Sequence, residues 1–141
     1  MPIRNADAEW TGGLKGGKGT MAFGSGAYEG QYSFTSRFEE GTGTNPEELI
    51  AAAHAGCFSM QFSALLEAAG HVPDRVATSA QVHLDPDGGG FTVTRIHLRT
   101  EARVPGIDEA EFQKVADDAK RTCPVSRLVT GAEITVDASL A

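Results

Sequence analysis

The sequence predicts an α+β fold, and three observations carry that reading. The first third is glycine-rich, with short apolar or aromatic stops. Two alternating segments flank DPDGGG, and two segments have helical spacing. In order, the elements are strands, a helix, a hairpin, helices and a last strand, read as one domain over residues 1–141.

Residues 8–34 combine turns with brief alternation and predict two or three short antiparallel strands. GGLKGGKGT does not make a phosphate loop, because Lys18 is followed by Gly19 and no strand-then-helix context surrounds it. GTGTNPEELI opens the long helix. Asn45 can cap it, Pro46 suits the first helical position, and Glu48 can complete a capping box. Glu47 and Glu48 also stand where the helix dipole favours negative charge. The helix then runs to Gly70, apolar on nearly every side, which predicts a buried central element.

VATSAQVHL (76–84) alternates with Val76, Val82 and Leu84 on one face. DPDGGG turns, and FTVTRIHLRTEARV (91–104) returns with Ile96, Leu98 and Val104. A second helix starts near Asp108 and carries Ile107, Phe112, Val115, Ala116 and Ala119 as its inner stripe. CPVSRLV begins a short third helix, and GAEITVDASL closes the chain as a strand.

The net charge of −7 argues against nucleic acid as a partner, since phosphate binding needs clustered Lys and Arg. The apolar run at 49–69 is interrupted by His54, Gln61 and Glu67, and the amino terminus has no apolar signal region. The expectations are no membrane span and a cytoplasmic location. Two cysteines are too few for a disulfide-stapled secreted scaffold.

The two cysteines hold the chemical interest. Cys123 precedes Pro124 at the start of a short helix, with Arg121 and Arg127 nearby; that setting lowers a thiol pKa, and an inert cap residue fits equally well. Cys57 lies mid-helix among Ala, Gly, Phe and Met, where burial favours an inert core thiol unless another segment brings a cation. His54, Cys57 and Cys123 offer three metal-type ligands, but no fourth accompanies them. The residues alone leave core filler, reactive pair and metal site open.

TNPEELIAAAHAGCFSM (44–60) together with CPVS (123–126) resembles the OsmC/Ohr family, on its OsmC branch. The glycine-rich strands, SRFEEG and the central hairpin extend the resemblance over the whole chain. It implies antiparallel sheets around a long buried helix in an intertwined homodimer with two sites at the interface. It further implies a thiol-dependent peroxidase acting on organic hydroperoxides and hydrogen peroxide in stress defence. Cys57 would be the peroxidatic nucleophile and Cys123 its resolving partner. Arg37, on the strand before the long helix, would stabilise the thiolate, and Glu47 would hold Arg37. The disulfide would be reduced by a dithiol or a lipoylated protein. No metal, haem or flavin is implied.

Phe58, Met60 and Phe62 are expected to wall an apolar substrate pocket. Glu47 precedes Cys57 by ten positions, about 15 Å along a helix and about 80° off its face, so Arg37 and Glu47 are expected to serve the neighbouring subunit's cysteines. The contrasting reading is a non-catalytic member of the fold that binds a small apolar ligand at the dimer interface.

Overall fold

A computed structural model describes all residues, Met1–Ala141. The chain falls into two compact units, Met1–Leu49 and Ile50–Ala141. In the first, β1 (Ala6–Thr11), β2 (Lys18–Phe23) and β3 (Glu29–Tyr32) form the expected antiparallel meander in the order β1-β2-β3. Its glycines serve close approach. A Cβ on Gly19 would come within 2.5 Å of the Tyr32 ring and 2.7 Å of the Trp10 ring, two rings whose centroids lie 5.3 Å apart. A short helix not foreseen in the sequence, α1 (Phe34–Phe38), follows β3.

The long helix, α2 (Pro46–Ala68), begins in the first unit and continues into the second. At its start the Glu48 N–H donates to Asn45 Oδ1 at 2.7 Å, so Asn45 caps as expected. The other half of the capping box is replaced, because the Glu48 carboxylate accepts from the Thr44 hydroxyl at 3.0 Å. Gly70, at φ 91°, ends the helix in a Schellman motif: its N–H donates to Glu67 O at 2.9 Å, and that of His71 to Leu66 O at 2.9 Å.

In the second unit, β4 (Arg75–Asp87) and β5 (Gly90–Arg103) form the long hairpin. Gly88 and Gly89, both at positive φ, make its two-residue turn. Next come α3 (Glu109–Thr122), capped by Asp108, then α4 (Pro124–Leu128) and β6 (Glu133–Leu140). β6 pairs with β5 in parallel, so the expectation of purely antiparallel sheets is corrected. The α3–α4 segment supplies the helical crossover that a parallel neighbour requires.

The core joins three surfaces. Phe58, Phe62 and Leu66 from α2 meet Ile96, Leu98 and Ala102 of β5 and Phe112, Ala116 and Ala119 of α3. The Phe62 ring lies 5.6 Å from that of Phe58 and 5.3 Å from that of Phe112. Ser59 donates to Thr78 Oγ1 at 2.7 Å, which ties α2 to the hairpin.

The expected central helix is met along one face of α2, and the expectation that this run is too interrupted to span a membrane needs correction. Within this chain it is buried along one stripe, His54, Phe58, Phe62 and Leu66, while Ile50, Ala53 and Met60 are exposed. Those 23 residues are also long and apolar enough to cross a membrane by length and composition; His54, Gln61 and Glu67 do not disqualify them. The same length and composition occur in core helices, and the buried side chains of α2 contact protein side chains.

Phe62→Ala should destabilise the protein by about 3–5 kcal/mol through a cavity among three elements. Urea unfolding followed by far-ultraviolet circular dichroism checks this, and a loss below about 1 kcal/mol would show that the stripe is not the centre of the core.

Candidate active site

Two pairs of side chains carry the candidate chemistry, one in each unit. The first depends on α1. Ser33 caps that helix reciprocally: its N–H donates to Ser36 Oγ at 2.8 Å, and the Ser36 N–H to Ser33 Oγ at 3.2 Å. Ser36 Oγ also donates to Thr44 O at 2.7 Å, and Asn45 Nδ2 to Ser36 O at 2.9 Å, which fixes α1 to the chain entering α2. Arg37 therefore stands on a helix rather than on a strand, because β3 ends at Tyr32 and Ser33 starts a helical turn.

From α1, Arg37 grips Glu47 in the first turn of α2 with both arms of its fork. Nε donates to Oε1 and Nη2 to Oε2, each at 2.9 Å. This planar, bidentate contact is one that Lys could not make. The Glu47 hydrogen bond, aided by its charge, holds the Arg37 pKa above its usual value despite some desolvation. The guanidinium also lies 5.2 Å from the centre of the Phe38 ring.

A cavity of about 240 Å³ opens beside Arg37, lined by Trp10, Leu14, Tyr32, Phe34 and Phe38 among others. The sequence reading missed this lining, whose signal was the aromatic stops among the glycines. The expected wall was different: Phe58 and Phe62 are fully buried core, and of the three named residues only Met60 is exposed. Their spacing of four along α2 fits a core stripe as well as a pocket, and the apolar faces of β5 and α3 cover it.

The second pair is Cys57 and Cys123. Their sulfurs lie 2.8 Å apart and both are free thiols; a disulfide has a bond length near 2.05 Å. Cys123 is fully buried and Cys57 partly exposed, so the accessible sulfur is the one on the long helix. Burial is the main influence pushing the Cys57 pKa up, and the hydrogen bond with Cys123 adds to it; the Val125 N–H opposes both. An amide at the start of α4 thus favours the Cys57 thiolate, whereas the sequence alone points to Cys123 for that effect.

His54 is fully buried, and its Nε2 shares a 2.7 Å hydrogen bond with Ser126 Oγ. Its other ring nitrogen, Nδ1, has no partner. Ser126, the last residue of CPVS, is the polar contact that the sequence did not reveal, since a partner 72 residues away leaves no local pattern. No group of three or more His, Cys, Asp or Glu side chains is arranged to hold a metal ion.

A family model described as "OsmC-like protein" matches residues 39–139. The chain is 48% identical over 138 residues to "Peroxiredoxin OsmC" of Escherichia coli K12, covering 97% of this chain and 96% of that one. It is 37% identical over 92 residues to an organic hydroperoxide resistance protein of Xanthomonas axonopodis pv. citri, covering 64% of this chain and 63% of that one. Among solved structures, an OsmC-like protein of unknown function from Vibrio cholerae superposes with a TM-score of 0.76 at 17% identity, covering 98% of this chain and 99% of that one. Organic hydroperoxide resistance protein OhrB of Bacillus subtilis gives 0.69 at 24% identity, covering 97% and 98%. These two similarities show the fold.

Burial pushes the His54 pKa below the ordinary histidine value of 6.5. The unfolded chain therefore takes up that proton more readily than the folded one. The neutral ring's contribution to stability is fully present above about pH 6.5 and is lost as pH falls through the folded-state pKa. The urea midpoint should drop further from about pH 7.5 to about pH 5.5 in the wild type than in His54→Gln, and equal drops in the two proteins would refute this.

Proposed function

The chain belongs to the OsmC-like protein family, and on that premise we propose that it is a cysteine-based peroxidase that reduces organic hydroperoxides, and hydrogen peroxide, to alcohols or water. The observation that carries the reading is the contact of two free thiols, 2.8 Å apart and 66 residues apart in sequence.

The chemistry follows from what each group can do. The Cys57 thiolate attacks the terminal peroxide oxygen; the S–O bond forms as the O–O bond breaks, and the departing alkoxide takes a proton to become the alcohol. Arg37 stabilises the thiolate and the alkoxide in turn, and Glu47 holds the guanidinium in one orientation for both tasks. Cys57 is left as a sulfenic acid, which condenses with the Cys123 thiol to give a disulfide and water. Two thiols of an external dithiol, or of a lipoylated protein, restore the pair by exchange. The aromatic cavity beside Arg37 supports a preference for hydroperoxides with an organic substituent.

Residues 1–141 act as one functional domain in a homodimer in the cytoplasm. Two features support the dimer. Ile50, Ala53, Cys57, Met60 and Ala64 recur at helical spacing on one face of α2, outside the buried stripe. The Cys57 thiol, raised by its burial, needs a cation, and ten positions of helix separate it from Glu47. The Arg37–Glu47 pair of one subunit serves the cysteines of the other.

With cumene hydroperoxide and dithiothreitol, Cys57→Ser should abolish turnover, and Cys123→Ser should complete one attack and then overoxidise. Arg37→Ala should slow the first attack by about 10²-fold. One equivalent of hydroperoxide should remove both thiols of the wild type. Full activity in Cys57→Ser would refute the mechanism and leave a ligand-binding role. Sedimentation should give a dimer for the wild type, while Met60→Glu should give a monomer with no turnover. A monomeric, active wild type would rule out the shared site.

A further inference from the structure

Three residues on one face of α2 make side-chain contacts with the segment from the end of α3 into α4. His54 meets Ser126, Cys57 meets Cys123, and Gln61 Nε2 donates to Thr122 Oγ1 at 2.8 Å. Positions 54, 57 and 61 lie within about 60° of one another on a helix, so the contacts form a ladder whose middle rung is the sulfur pair. The outer rungs differ in burial. His54 is fully buried and Ser126 is 6% exposed, whereas the Gln61–Thr122 bond is exposed to water. Thr122 is itself fixed, donating to Asp118 O at 2.7 Å.

Apolar contacts alone would hold α4 against α2, but they tolerate rotation and sliding. A hydrogen bond in the core is directional, and a misplaced partner would leave a second buried polar atom unpaired. His54 already has an unpartnered Nδ1 in an apolar surrounding, which a leucine would not. Something must justify that polar group, and the rung beside it joins two thiols that have to react with each other. Proposed peroxidase chemistry gives this geometry a purpose, and the inference rests on that reading.

We propose that the His54–Ser126 and Gln61–Thr122 hydrogen bonds clamp α4 onto α2 so that Cys123 is preset for bond formation with Cys57, the buried rung being the stronger. In the step served, the S–S bond forms, the S–O bond of the Cys57 sulfenic acid breaks, and the Cys123 proton leaves with the hydroxyl as water. His54 and Ser126 are positioning residues for this step and take no part in the attack on peroxide.

The test follows the two half-reactions separately in Ser126→Ala, Ser126→Thr and Thr122→Val. Quenching after one equivalent of cumene hydroperoxide, with dimedone trapping and mass spectrometry, resolves sulfenic acid, disulfide and sulfinic acid. Ser126→Ala should form sulfenic acid at the wild-type rate, close the disulfide about tenfold more slowly and accumulate sulfinic Cys57. Ser126→Thr should restore closure, and Thr122→Val should slow it less than Ser126→Ala. An independent arm needs no peroxidase activity. In a dithiothreitol redox buffer, the equilibrium constant for the Cys57–Cys123 disulfide should fall about tenfold in Ser126→Ala.

Wild-type closure in Ser126→Ala, or an unchanged equilibrium constant, overturns the clamp. An equal slowing of both half-reactions overturns it too, since that is what general loosening would produce. A wild type that consumes no hydroperoxide, together with the tenfold shift of Ser126→Ala in the redox buffer, would sink the proposed activity and leave the clamp standing.

Discussion

The proposed chemistry depends on one contact, between a sulfur on α2 and a sulfur at the start of α4. Bringing these two thiols together requires burial, because Cys123 is an integral member of the core cluster. Burial in turn works against reactivity, since a desolvated thiol resists ionisation. The local geometry relieves this only in part, through the Val125 N–H directed at Cys57. In the proposed mechanism a positive group makes up the remaining deficit, because burial pushes the Cys57 thiol pKa up.

In that proposal the Arg37–Glu47 pair meets the need in a specific way. A free arginine would carry the charge but not the orientation, and it would sample many rotamers before meeting a thiolate. Locking the guanidinium by two bonds to Glu47 reduces that entropy cost in advance and still leaves part of the fork exposed. The lock is anchored by backbone structure as well, since Ser33, Ser36 and Asn45 tie α1 to the start of α2. The carboxylate therefore acts on the cation, and in the proposed mechanism the cation acts on the chemistry. An acid directly beside the sulfur would raise the thiol pKa further.

What was legible in the sequence divides along physical lines. Local rules hold wherever the signal is local. The Asn45 cap, the Gly70 stop, the DPDGGG turn and the Asp108-led helix with Phe112, Val115, Ala116 and Ala119 inward all follow from short-range chemistry. The misses depend on partners distant in sequence or on the choice of face. β6 is parallel because a crossover brings it beside β5, and a single strand's alternation does not encode direction. α1 is five residues long, too short for periodicity to reveal, and its capping box uses serine where glutamate would be the recognisable sign. Phe58 and Phe62 read equally well as pocket or core, and only the packing of Phe112 and β5 decides. Cys57 and Cys123 were singled out by motif, but their contact is a property of the fold.

The periodicity of α2 carries the last step. His54, Phe58, Phe62 and Leu66 recur every four residues, which on a 3.6-residue helix turns the buried stripe steadily around the axis. Ile50, Ala53, Cys57, Met60 and Ala64 alternate steps of three and four, which keeps a straighter seam. Cys57 lies on the border of the two. Its sulfur therefore faces Cys123 on one side and a surface of small and apolar residues on the other. A second α2 laid on that surface would remove water from the sulfur without blocking its reach to Cys123. In the proposed dimer the apolar circumference of α2 needs no membrane, with one side for its own core and the other for its copy.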